Sequence, residues 1–171
     1  RKIQLRLATK IDWDVLIPGS ANLQSLTIPV ATEPDGYFAT HTAQDDFFFV
    51  ESDEGTETIL PGKHIQQSLQ LFSATSLYAK YLVYSAAFRK RAHFKQFGIP
   101  SFRVITITST PRRVEQIIER LGDLLTGEPL HIHPGFFLFT DRQTLASFDN
   151  NPFHPEHRHK TLAGDDVTLL A

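Results

Sequence analysis

From Asp14 to Val30 the apolar residues come in short runs, interrupted by Pro18-Gly19-Ser20 and by Pro29, which predicts strands and turns. Gly36–Thr40 and Asp46–Glu51 are rich in β-formers, and the polar stretch Thr42–Asp45 between them fits a hairpin loop. Phe47–Val50 is an unbroken apolar run of strand length, as expected for a strand covered on both faces. After Pro61-Gly62, the stretch from His64 to about Arg91 has neither Gly nor Pro. Its apolar residues recur at three and four: Ile65, Leu69, Phe72, then Leu77, Tyr81, Tyr84 or Ser85, and Phe88. The spacing predicts one helix or two, loosened near Ser73–Ser76 and ended by Gly98 and Pro100. Phe102–Thr108 reads as a β-branched strand, and Thr110-Pro111 as the cap and first residue of a helix to about Leu125. Gly135–Thr140 is another strand, after which Asp141 can cap a short helix through Ser147. Strand, helix, strand makes a βαβ crossover with parallel neighbours. The chain is therefore expected to be α/β: a mixed sheet with an antiparallel hairpin first, a long helix, and a parallel unit last.

Composition narrows the class. A chain of 171 residues, 41% hydrophobic, suits one globular domain with its own core. The absence of Cys excludes a disulfide scaffold and every thiolate zinc site. No apolar run approaches the ~18–20 residues of a bilayer span and no signal peptide opens the chain, so it reads as soluble and cytoplasmic with no membrane partner. Position 1 is Arg and the chain has no Met, which points to a start inside a longer gene product or to missing disordered pieces.

The net charge of −2 averages two opposite blocks. Residues 11–57 hold ten acids and no Lys or Arg, whereas residues 58–114 hold nine bases and no acid. A domain that holds a divalent cation beside a phosphodiester needs that division, with carboxylates for the ion and a basic surface for the strand. Two solvated faces of opposite sign would give the same pattern. The most suggestive carboxylates are Asp35 and Glu51, placed by hairpin pairing at adjacent strand ends, where they could share Mg²⁺ or Mn²⁺. Asp53 lies on the same side as Glu51 by the period-two rule, and Glu57 follows after a turn at Gly55.

Pro34-Asp35 followed by Glu51-Ser52-Asp53 resembles the PD-(D/E)xK nuclease signature. More fully, Pro34–Phe38, Phe48–Glu57, Lys80 with Tyr84, Phe102–Thr108 with Arg112, and the pair Trp13-Asp14 resemble the replication-relaxation family of plasmids and mobile elements. That resemblance implies a restriction-endonuclease-like mixed sheet flanked by helices over residues 13–149, with a tail at 1–12 and an irregular extension at 150–171. It also implies DNA as partner, plasmid replication or transfer proteins as further partners, and a preceding winged helix-turn-helix. Asp35 and Glu51 would hold the metal and, with Asp53 and Lys80, form the catalytic set. One departure stands out: the tripeptide ends in Asp53 where the signature has Lys. A carboxylate there adds negative charge where a phosphorane already accumulates it. Lys80, four residues before Tyr84 on one helical face, could replace the missing cation. A non-cleaving DNA-binding or partner-recruiting module of the same fold is the alternative.

Arg89, Lys90, Arg91 and Lys95, with Phe94 among them, suit phosphate contact, and Tyr84 is a further candidate on the same helix. Cations at a helix C-terminus also complement its dipole. Arg112 and Arg113 open the next helix, where cations are locally unfavourable, so they too are candidates for an anionic partner. His131-x-His133 and His154, His157 and His159 give a weaker zinc pattern, and the Pro- and His-rich stretch Asn150–Lys160 reads as a surface loop. No phosphate-binding Gly loop, nucleophile elbow or dinucleotide fingerprint is present.

Overall fold

Strict alternation makes the first element. From Leu7 to Leu16 buried or half-buried residues (Leu7, Thr9, Ile11, Trp13, Val15) alternate with exposed ones. This strand, β1 (Leu7–Leu16), pairs antiparallel with β2 (Leu23–Thr32) in a two-stranded ribbon, with Trp13 opposite Leu26. A computed structural model describes residues 5–16, 21–41, 45–73, 75–127 and 130–169. The expected turn at Pro18-Gly19-Ser20 and most of the hairpin loop after His41 lie outside them. Of the basic tail expected over 1–12, the part from Leu7 to Asp12 belongs to β1, with Leu7 and Ile11 turned to the buried side.

The chain divides into two compact units, one made of residues 1–33 and 57–101, the other of 34–56 and 102–171. In the first unit the ribbon packs against α2 (Leu77–Arg89). The expected long helix is broken into α1 (Lys63–Gln66), a 3₁₀ turn (Leu69–Phe72), α2 and α3 (Ala92–Phe97). Serines supply the breaks. Ser68 Oγ accepts from Gln70 N at 3.2 Å and Ser76 Oγ from Ala79 N at 3.2 Å, each starting a new turn rather than continuing the last. Arg91, at φ 53°, ends α2 and starts α3, so the basic run spans two helices, not one. Trp13 is held by Nε1–H donation to Gln66 O at 2.9 Å and by edge contacts with Phe72 and Tyr78.

The second unit is a six-stranded mixed sheet in order β3-β4-β5-β6-β7-β8, flanked by helices. The predicted hairpin is present as β3 (Gly36–His41) and β4 (Asp45–Asp53), with Phe38 opposite Phe48. β5 (Arg103–Thr108) lies parallel to β4, and β6 (Phe137–Asp141) parallel to β5. Between the last two runs α4 (Pro111–Thr126), which buries Val114, Ile117, Leu121 and Leu125 at helical spacing. The predicted caps hold: Thr110 Oγ1 accepts from Arg113 N, and Asp141 Oδ1 from Gln143 N and Thr144 N, opening α5 (Arg142–Ala146). The run at Phe47–Val50 does bury Phe48 and Phe49, neighbours that point to opposite faces. Phe48 stacks on Phe38 beside Ile105 and Leu138, and Phe49 meets Phe102. The segment expected to be irregular after residue 150 adds β7 (His159–Thr161) and β8 (Asp166–Val167), both antiparallel. Those strands are too short to carry a hydrophobic alternation of their own.

Candidate functional site

The parallel register places Glu51 beside Thr106 and Asp53 beside Thr108, so both carboxylates stand at the C-terminal end of β4 on one face. Open α/β sheets commonly take ligands at that end of their strands. Both side chains are buried, with residue exposures of 1% and 2%. Asp53 has both oxygens occupied. Arg113 Nε donates to Oδ2 at 2.6 Å, while Arg113 Nη2 and Gly55 N donate to Oδ1 at 3.3 and 3.0 Å. Arg113 sits in the first turn of α4, where a cation is unfavourable to the helix dipole, and a buried carboxylate compensates it. The pair takes two residues proposed for different tasks, catalysis and DNA contact, and joins them to each other.

A second arginine closes the same strand ends from outside. Arg142 donates through Nη1 to Glu54 Oε2 at 2.9 Å and through Nη2 to Ser52 Oγ at 3.1 Å, and also reaches Glu54 Oε1. Sequence reasoning had no means of finding this contact, since Arg142 and Glu54 belong to distant elements with no shared motif. Asp35, exposed just before β3, does come to the neighbouring strand end as the hairpin predicted. Its Oδ2 accepts from Ser52 N at 2.8 Å, extending the ladder by a side-chain bond.

The carboxylate of Asp35 is taken by a backbone N–H and both oxygens of Asp53 by Arg113 and Gly55. Among the described residues no group of three or more His, Asp or Glu side chains is arranged to hold an ion. Asp53 is thus committed to Arg113 and Gly55 rather than left as a donor for Mg²⁺ or Mn²⁺. The histidines follow the same course. His131 has φ 46° and lies outside any strand, so the face-sharing expected of His131 and His133 does not arise, and His133 Nδ1 accepts from Gly135 N.

Lys80 and Tyr84 belong to the first unit, on α2. Lys80 forms an ion pair with Glu57 at 3.3 Å, and Tyr84 is wholly buried, a core aromatic that presents nothing to a strand of DNA. Further along, the polypeptide turns outward. Arg89, Lys90, Arg91 and Lys95 are all exposed, as are Phe88 (39%) and Phe94 (46%). The Arg91 guanidinium lies 4.8 Å from the centroid of the Phe94 ring, and Phe88 stacks on His93 at 5.5 Å. Lys90 reaches Asp12 at 3.3 Å, a pair whose side chains are 44% and 62% exposed. The Thr27 hydroxyl, followed by Lys90, holds the Asp12 carboxyl below its ordinary range. Arg112 is exposed at the start of α4 in the other unit.

No family model matches this sequence, and no curated protein or solved structure shows significant similarity to it.

Proposed function

We propose that the chain is a DNA-binding module that grips the phosphate backbone without cutting it. The observation that carries this reading is the exposed basic and aromatic end of α2 and α3: Arg89, Lys90, Arg91 and Lys95 around Phe88 and Phe94. Cations neutralise phosphates, and exposed rings offer stacking surfaces for unpaired bases. Lys90 can exchange its solvent-exposed partner Asp12 for a phosphate at little cost, because water and salt screen such a surface pair.

The absence of hydrolysis in this reading rests on Asp53, which stands where the nuclease signature places a lysine and is committed to Arg113. A restriction-endonuclease-like classification is supported by an antiparallel hairpin followed, through helical segments, by a strand parallel to its second arm. The resemblance of the residue strings to replication-relaxation proteins suggests plasmid or mobile-element replication as the setting.

Salt dependence tests the proposal. Four phosphate contacts predict a slope of log K against log[salt] of about −3.6 on duplex DNA and about −2.8 on single strands. Arg91→Asn with Lys95→Gln is expected to bring the duplex slope to about −1.8, measured by fluorescence anisotropy. Absence of binding at low salt, or a slope indifferent to that double substitution, overturns the assignment. Mg²⁺-dependent cleavage of supercoiled DNA that is lost in Asp35→Ala with Glu51→Ala would replace it with the hydrolytic reading.

A further inference from the structure

The second unit holds a cleft of about 650 Å³ with no part in the reading above. One wall is the face of α4 that carries Val114 and Ile118, and the rest is closed by β6, α5 and the C-terminal segment, with half-buried Phe148 supplying aromatic surface. Its volume is within the ~300–1,000 Å³ range of small-molecule sites, and an apolar lining with a few polar groups is their usual make-up.

The charges around this lining are unequal. Both cations are already engaged: Lys160 pairs with Asp166 at 2.8 Å, and Arg158 Nη1 donates to the carbonyls of Pro155 and His157 at 2.7 and 3.3 Å. Asp141 accepts from the first turn of α5 through both oxygens. Glu115, Glu119 and Glu156 also line the cleft, and their carboxylates have no ion-pair partner among the described residues. Glu115 and Glu119 are four apart on α4, so they stand one above the other beside Ile118. Like charges at that spacing destabilise a helix slightly, a cost that a bound cation removes.

We infer that this cleft binds a small organic cation, an amine or amidine on an apolar ring or chain, with its body against Ile118 and Phe148 and its charge between the α4 glutamates. The three carboxylates are exposed to water, so their charge acts by selection, drawing a cation and repelling an anion, with a neutral ligand between the two.

The test uses three probes that share an indole ring: tryptamine (cationic), indole (neutral) and indole-3-propionate (anionic). Binding to the whole chain is followed by calorimetry, and the location by ¹H–¹⁵N shift changes. Tryptamine is expected to bind with shifts centred on β6 and α4, more weakly as NaCl is added, with indole weaker and indole-3-propionate weakest. The double substitution Glu115→Gln and Glu119→Gln, on an exposed helix face, is expected to lower tryptamine affinity roughly tenfold, the size of two partly exposed ion pairs. A second variant, Ile118→Trp, leaves the carboxylates in place and fills the apolar wall, and is expected to abolish binding of all three probes. Equal affinity for tryptamine and indole-3-propionate, shifts confined to other surfaces, or unchanged binding in the double variant would overturn the inference. None of these results bears on DNA binding by α2 and α3.

Discussion

Replacing Arg113 by Ala is the sharpest probe of the strand-end chemistry. The Asp53 side chain is 1% exposed and that of Arg113 13%, so the pair is screened little by water. Truncating Arg113 removes two of the three hydrogen bonds to the carboxylate and leaves the charge buried with only Gly55 N–H as donor. Breaking a buried pair from one side typically costs about 3–5 kcal/mol. Against a domain stability of ~5–15 kcal/mol, this is a large share of the total. With a urea m-value near 2 kcal/mol/M, the expected fall in midpoint is roughly 2 M. Replacing both residues with apolar ones of similar volume, Asp53→Leu with Arg113→Met, should recover most of the loss, because neither charge then has to be desolvated. Urea titrations of wild type, both single variants and the double variant, followed by far-UV circular dichroism, give the cycle. Additive single losses, or an Arg113→Ala variant within about 1 kcal/mol of wild type, would refute the reasoning. Weaker DNA binding by Arg113→Ala without lost stability would return the arginine to the interface.

His159 is wholly buried, and burial first of all brings its pKa down to about 4, with the Pro152 carbonyl opposing the shift. The unfolded chain takes up that proton near pH 6.5, so stability is complete above about 6.5 and falls as pH drops toward 4, by roughly 3 kcal/mol. His157, pushed the same way mainly by burial, adds to it. His159→Leu should flatten the stability profile over this range, and parallel profiles for variant and wild type would count against the account. Gly122→Ala is expected to destabilise by about 1–3 kcal/mol, because a Cβ there would lie 2.7 Å from the Leu162 carbonyl oxygen, and a thermal melt would read the loss. Millimolar MgCl₂ is expected to raise the melting temperature of wild type no more than that of Asp35→Asn; a selective rise in wild type would show that Asp35 ligates the ion after all.

Local chemistry was legible where one residue decides a boundary. Thr110-Pro111 and Asp141 are caps whose oxygens serve N–H groups two or three residues away, so proximity in sequence is enough to find them. The hairpin was legible because its two arms carry opposed β-rich runs. The break at Ser76 was legible as a loosening over Ser73–Ser76, whereas the one at Ser68 was not, since that serine does nothing in composition that a mid-helix serine would not also do. Buried residues ring nearly the whole circumference of α2, Tyr81 and Tyr84 included, so it has no polar face to mark its limits. At the candidate site, the sequence pointed to Arg113 as a cation out of place at a helix start, and the structure supplies its anion sixty positions upstream. No local pattern could have told a carboxylate from a phosphate.

The chain passes between its two compact units three times, near residues 33, 56 and 101. Everything the first unit needs has therefore been synthesised by Ser101, whereas β4 must wait for β5, since Phe48 finds its neighbour only at Arg103. During translation the hairpin would leave the ribosome with one edge bare and stay so until the later strands arrive, a long-range closure of the kind that slows folding and exposes intermediates to aggregation. A nascent chain arrested once Ser101 has cleared the ribosomal exit tunnel should thus carry a protease-resistant first unit and a cleavable β3–β4 segment.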